Sequence, residues 1–309
     1  METRRLANFI AIVDCGSLTR AAERMHVAQP ALSQQLAGLE ATYGKQLVLR
    51  SRQGITVTPA GRALYRNAQT MLRQLKQMES DVKSAGDYIS GHVSVGLPVS
   101  CASIMTIPLL QSVRERFPQI LLQISENLSG LLGELILNNR LDMALLYGTH
   151  GSEGLTRKPL LLERLCLVCQ PALAPAGADR ETVSVSAMAD VPLVLPSHSN
   201  GLRALVDAAF SRHGLKPRIV AEIDSLPSLR ASAERGLAAT ILPRSAAIGT
   251  DIGALCIRDV VEPKIQRTIV LCQNSAPPAS EPVEAITAAM IETVDELVET
   301  GRWPGVRRV

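Results

Sequence analysis

The sequence has no uninterrupted apolar run of the roughly 18 residues that a membrane-spanning helix requires. Arg, Lys, Glu and Pro break every hydrophobic stretch of its 309 residues. It shows no secretory leader either: Met1-Glu2-Thr3-Arg4-Arg5 runs into an amphipathic pattern, without an apolar segment or a small-residue cleavage site. The expected compartment is the cytoplasm, with no membrane partner. Its cysteines, Cys15, Cys101, Cys166, Cys169, Cys256 and Cys272, lack the dense regular spacing of a secreted disulfide framework and read as reduced thiols. The histidines, His26, His92, His150, His198 and His213, form no HExxH, and neither a GxSxG turn nor a P-loop is present. The chain is therefore expected to be no enzyme, and to need no cofactor and no metal.

One CxxC does occur, in Leu165-Cys166-Leu167-Val168-Cys169, which reads as a buried strand. Three residues along a strand place side chains on opposite faces, so the pair is poorly set to chelate a metal or close a disulfide. Small buried hydrophobes are the expected role.

What is present suits two or three folded units: 46% hydrophobic and 20% charged residues over this length make an ordinary soluble composition. The charge is uneven. Residues 1–90 hold 12 Lys+Arg against 7 Asp+Glu, a net +5, while the remainder holds 20 against 22, a net −2. A nucleic-acid module on a neutral body has this distribution, although many solvated surfaces reach +5 as well.

Leu6, Phe9, Ile10 and Val13 follow one helical face, with Gly16 as terminator, which predicts a first helix over about 3–15. Ser17 or Thr19 can cap a short second helix carrying Ala21, Ala22 and Met25 and ending near His26. Pro30 suits the first turn of a third helix, whose inward face is Leu32, Leu36, Leu39 and Tyr43. Its other side carries Pro30, Ser33, Gln34 and Gly38, with Gln29 at the N-terminal edge. Such side chains can reach base edges and phosphates in a major groove, or be merely a solvated face. Leu47-Val48-Leu49-Arg50 and Ile55-Thr56-Val57 flank Ser51-Arg52-Gln53-Gly54, a hairpin with a basic tip that would set Arg50 and Arg52 against phosphates.

Ser17-Leu18-Thr19-Arg20-Ala21-Ala22, Gln29-Pro30-Ala31-Leu32-Ser33-Gln34-Gln35, Leu39-Glu40, Leu49-Arg50 and Thr58-Pro59-Ala60-Gly61 together resemble the helix-turn-helix signature of LysR-type regulators. The resemblance implies recognition-helix contacts for Gln29, Pro30, Ser33 and Gln34, and wing contacts for Arg50 and Arg52. Val48 departs from the family's usual Phe. Ser90-Gly91-His92-Val93-Ser94-Val95-Gly96 and Leu141-Asp142-Met143-Ala144 add a similarity to the nitrogen assimilation control branch.

Leu64, Ala68, Met71, Leu75, Met78, Val82 and Ala85 then recur in steps of four and three, a heptad seam on a helix of about 28 residues. At about 1.5 Å per residue it would reach some 40 Å. The seam either packs onto its own domain or joins a second copy; the resemblance implies the latter, a dimer or tetramer on partly palindromic sites.

Beyond Gly91, strand patterns alternate with helical ones, which argues for an α/β sheet of parallel strands. The series 92–97, 103–116, 120–125, 129–139 and 142–147 is followed by a second, 191–195, 202–213, 218–224, 226–236 and 238–242. A strand over 266–273 and a helix over 283–300 come last. This half resembles a two-lobed, periplasmic-binding-protein-like sensor domain in which the last two segments return to the first lobe. Glu222-Ile223-Asp224 and Gly236–Pro243 match the family's second lobe, except for Ala238 where a second glycine is common.

The expected fold class is thus α/β overall: an N-terminal all-α winged helix-turn-helix over 1–58, a linker helix over 59–89 and an effector domain over 90–309. Its lobe I takes about 90–162 and 266–309, and lobe II about 163–265. A carboxylate-like small molecule between the lobes would meet helix N-termini at the loops 98–103, 127–130 and 196–200. Ser100 and Ser129 resemble effector contacts, faced by Ser197, His198 and Ser199, though Ser and Asn are ordinary caps too. The expected partners are double-stranded DNA and a further copy of the chain, with RNA polymerase and that effector as further candidates; the alternative to an effector is a regulator that responds to its own abundance. The competing reading is a two-lobed solute-binding protein or enzyme whose N-terminal helices serve assembly only.

Overall fold

The computed structural model describes residues 2–51, 54–84, 88–148, 153–175, 180–247, 255–276 and 278–309; at 2, 73, 76, 77, 80, 81, 83 and 84 it describes the backbone only. Two compact units result, Met1–His92 with Asn138–Arg140, and Val93–Leu137 with Leu141–Val309.

In the first unit, α1 (Glu2–Cys15) ends at Gly16, whose φ of +59° is the left-handed turn that glycine accepts without a Cβ penalty. Its buried stripe is Leu6, Phe9, Ala11 and Ile12 rather than Leu6, Phe9, Ile10 and Val13. The shift follows from packing, because three further helices lie against α1. α2 (Leu18–Met25) is capped by the Ser17 hydroxyl, which accepts from the Arg20 amide, and buries Ala21 and Ala22. α3 (Gln29–Tyr43) buries Leu32, Leu36 and Leu39, while Tyr43, expected inside, is 51% exposed at the helix end.

β1 (Val48–Ser51) and β2 (Gly54–Val57) pair antiparallel from Val48↔Val57 to Ser51↔Gly54. Val48 is buried in the helical core, beside which Ile55 also packs. α4 (Pro59–Ser84) follows. Its start is knotted to the rest of the unit. The Thr58 hydroxyl donates to the Gln46 and Leu47 carbonyls and accepts from the Gly61 amide, capping α4. One Glu40 carboxylate oxygen accepts from the Leu47 and Val48 amides at 2.8 and 3.4 Å. Tyr65, whose phenol is pushed up to about 12 by burial and the bond to Asp14, ties α4 to α1.

The second unit begins with β3 (Gly91–Pro98), α5 (Val99–Arg116), β4 (Ile120–Asn127), α6 (Ser129–Leu137) and β5 (Met143–Tyr147). Then β6 (Leu155–Cys169), fifteen residues long, belongs to both lobes. Up to Arg164 it pairs with β12 (Gln266–Asn274), and from Leu165 with β10 (Thr240–Pro243). β7 (Thr182–Ser184), β8 (Leu193–Leu195), α7 (Gly201–Ser211), β9 (Ile219–Glu222), α8 (Leu226–Glu234), α9 (Arg244–Ala247) and β11 (Cys256–Val261) complete the second lobe. α10 (Glu281–Glu299) packs on α5, and β13 (Val306–Arg308) pairs with Leu161–Glu163 of β6.

The sheets are mixed, not parallel throughout. β3 runs parallel to β5, β8 to β9 and β11 to β7, but β12 is antiparallel to both β5 and β6, and β10 and β11 are antiparallel to β6. Direction decides this: β6 carries the chain out of one lobe and β12 brings it back. Along the end of β6, Leu165, Leu167 and Cys169 enter the core under α7, and Cys166 and Val168 enter the core under α8 and α9. The CxxC therefore faces opposite ways. Burial pushes the Cys166 thiol up to about 12 and that of Cys169 to about 11, so both stay protonated.

The tightest approach in the first unit lies at Gly61, where a Cβ would stand 2.0 Å from the Leu47 carbonyl oxygen. That oxygen is backbone, fixed by the Thr58 amide and hydroxyl, and cannot swing away. Gly61→Ala is expected to destabilise the first unit by about 1–3 kcal/mol, as overpacking does. Urea denaturation measures it, and a loss under about 0.5 kcal/mol, the range of an ordinary surface substitution, would show that the knot yields.

Candidate functional site

Two surfaces collect the residues that carry chemistry, one in each unit. In the first, α3 presents Gln29, Pro30 and Gln34 to solvent. Ser33 is half-buried, and its hydroxyl accepts from Arg50 Nη1 at 3.1 Å, so the hairpin and the helix are joined by two of the residues expected to meet DNA. Gln35 turns the other way and accepts, through Oε1, from the buried Asn8 at 2.6 Å. α3 begins at Gln29, after an Ala28 that supplies no side-chain cap, and Pro30 in its first turn has no N–H that would need one. Arg52 lies outside the described residues, as does Ala85 of the heptad pattern.

The heptad pattern divides along α4. Leu64 packs against the helical core of its own unit and Ala68 is fully buried, so these two do not face outward. Further along, Met71 is 56%, Met78 54% and Val82 74% exposed, with Leu75 half-buried between them. The cause is length, since a helix of 26 residues outruns the small bundle that covers its first turns.

In the second unit a cavity of about 520 Å³ opens between the lobes, walled by the N-terminal ends of α5, α6, α7 and α8. Ser100, Ser129 and Ser199 line it. Ser197 and His198 do not. The Ser197 amide donates to Asp224 and its hydroxyl pairs with that of Ser199. His198 is held outside the cavity wall by Arg203 at 3.1 Å, with Asp207 and Glu222 at 3.6 and 3.9 Å. α7 and α8 are capped by their own Asn200 and Ser225, whereas α5 starts at Pro98 with no side-chain cap.

The floor of the cavity was not foreseen. Arg267, on β12, is 7% exposed at the side chain and donates through Nε and Nη2 to Glu163 Oε2, both at 2.7 Å. Nη2 also reaches the Ser100 hydroxyl at 3.1 Å, and the guanidinium lies 3.5 Å above the Tyr147 ring. Ser100 and Tyr147 share a 2.6 Å hydrogen bond, and the Tyr147 amide donates to Ser129. Burial opposes the arginine's charge, but the fields of Tyr147 and Glu163 outweigh it and raise its pKa, so the cation persists. Burial likewise pushes Cys101, beside Tyr147, up to about 12. The sequence did hold a signal: Glu163 and Arg267 are charges inside apolar strand runs, Leu160-Leu161-Leu162-Glu163 and Arg267-Thr268-Ile269-Val270-Leu271. Such charges are seldom buried unless paired.

Glu163 is 1% exposed, so removing it strands a buried cation. Glu163→Ala is expected to cost about 3–5 kcal/mol in chemical denaturation. Adding Arg267→Met should restore a large part of that loss, and simple additivity of the two changes would show the pair to be uncoupled.

Residues 3–62 match the family described as bacterial regulatory helix-turn-helix protein, lysR family, and residues 86–295 the LysR substrate binding domain. The chain is 42% identical over 248 residues to the nitrogen assimilation regulatory protein nac of Escherichia coli, covering 80% of each. Among solved structures it is similar to full-length OxyR from Pseudomonas aeruginosa, at 23% identity and a TM-score of 0.71 over 95% of this chain and 94% of that one. It is also similar to full-length CbnR in complex with its target DNA, at 23% identity and a TM-score of 0.64 over 96% and 99%. No described helix is long and apolar enough to cross a membrane. An exposed α3 beside a hairpin, a two-lobed α/β unit around a cavity and these two family matches lead to one assignment: the chain belongs to the LysR family of DNA-binding transcriptional regulators, close in sequence to the nitrogen assimilation regulators.

Proposed function

We propose that the protein is a non-enzymatic cytoplasmic regulator that reads partly palindromic operators as a dimer and responds to a carboxylate-bearing effector in the cleft. In this reading residues 1–58 bind DNA, 59–89 link and dimerise, and 90–309 sense the effector. Its similarity to nac supports a role in nitrogen metabolism, acting on RNA polymerase at the promoters it binds. The observation that carries the reading is the Arg50–Ser33 bond. It fixes the hairpin against α3 while Gln29, Pro30 and Gln34 stay exposed, so that base-reading and phosphate-facing groups share one surface. The CbnR structure holds its target DNA and shares this fold.

Of the three polar residues at 33–35, Ser33 is bonded to Arg50 and Gln35 to Asn8, which leaves Gln34 turned fully outward. A glutamine amide can pair with an adenine edge. Gln34→Ala is expected to weaken operator binding by about 1–3 kcal/mol and to relax preference at one base position. Duplex binding across a salt series reads this out, and unchanged discrimination between sites removes Gln34 from the readout. Failure to bind any duplex at any ionic strength would favour the two-lobed binding protein instead.

Dimerisation is assigned to the exposed half of the α4 seam, Met71, Leu75, Met78 and Val82, with Leu64 and Ala68 serving the monomer's own core. Because Met71 and Met78 are both more than half exposed, Met71→Glu with Met78→Glu leaves that core intact. Sedimentation of this variant is expected to give a monomer or a markedly weakened dimer. Persistence of the full dimer would place the interface elsewhere.

A further inference from the structure

We propose that the ligand of the cleft is a zwitterion, its carboxylate seated on the Arg267 floor and its ammonium group held at the rim between Glu134 and Asp224. This rests on the reading of the cleft as the effector site and names the chemistry that the site selects.

Four charged side chains line the cavity: Arg157, Arg267, Glu134 and Asp224. A fifth, Glu163, stands behind Arg267 and cancels it, so the floor is a neutral ion pair. With the rim carboxylates included, the three acids outnumber the two arginines. A plain carboxylate would therefore add to an excess of formal side-chain charge that is already negative. A ligand that brings its own cation does not meet this penalty, and it makes two favourable contacts in place of one.

The positions of the charges give such a ligand a direction. At the floor, Nε and Nη2 of Arg267 are committed to Glu163 and Ser100. Nη1 donates to no described residue, and Arg267 is one of the residues that line the cavity. The uncapped start of α5 adds amides on the same side. These are donors for a carboxylate. At the mouth the polarity reverses, for Glu134 and Asp224 are exposed, the first on α6 of one lobe and the second just before α8 of the other. Asp224 spends one oxygen on the Ser197 amide and keeps the other free of any bond to a described residue. An ammonium group seated there meets a carboxylate from each lobe. The carboxylate end alone touches chiefly the first lobe, so the cation is the part of the ligand that spans both.

The test is calorimetric titration of the full-length protein with glycine, γ-aminobutyrate and ε-aminohexanoate, with hexanoate and hexylamine as the single-charge controls. At least one of the three zwitterions is expected to bind about tenfold more tightly than either control. In the Glu134→Gln, Asp224→Asn variant, altered only at exposed positions, that preference should shrink towards onefold. Hexanoate binding as well as the best zwitterion overturns the inference and leaves the effector cleft standing. Hexylamine binding as well as the best zwitterion overturns it too, by removing the carboxylate from the floor. A zwitterion preference that survives in the double variant overturns the placement of the ammonium group. Absence of binding by every compound removes the cleft reading and the inference together.

Discussion

The buried ion pair between Glu163 and Arg267 is the constraint on which the second unit depends. Glu163 is the next-to-last residue of β6 in the first lobe's sheet, two residues before the strand joins the second lobe. Arg267 is the second residue of β12, the strand on which the chain returns. Two charges removed from water at this crossing are tolerable only if each is matched in place, and the match extends outward through Ser100 and Tyr147 to the helix that starts at Ser129. Both connections between the lobes are thereby tied to the cavity floor.

The DNA-binding unit is governed by smaller constraints of the same kind. A three-helix bundle of this size buries little surface, so its hairpin is located by polar ties: Glu40 to the Leu47 and Val48 amides, Thr58 to the Gln46 and Leu47 carbonyls, and Ile55 to the Gly16 carbonyl. Glycine at 61 is what allows α4 to start against the Leu47 carbonyl. These contacts give physical meaning to the short blocks Leu39-Glu40 and Thr58–Gly61. They position the hairpin so that Arg50 can rest on Ser33.

Much of the architecture was legible in the chain because it rests on local rules. Helical periodicity located α1, α2 and α3, glycine at 16 and proline at 30 marked their limits, and strand alternation separated the two faces of Cys166 and Cys169. Local rules failed where a residue's environment comes from several elements at once. Tyr43 follows the inward spacing of α3 but lies in its last turn, beyond the reach of its neighbours. Leu64 and Met71 are equivalent in the heptad, yet one is covered by the bundle and the other is not. Ser197 and His198 belong to the expected loop, but hydrogen bonds to Asp224 and Arg203 turn them away from the cavity.

By itself, then, the sequence determined the order of elements, the family and the face of α3 that looks outward, since each depends on residues within a few turns of one another. Only the tertiary structure decided which strands run against their neighbours, which half of α4 lies exposed, and what floors the cleft. Glu163 and Arg267 are separated by 104 positions, and no periodicity links them. Their pairing is a property of two strands brought side by side, and the need of each buried charge for the other could be met only once the chain had folded.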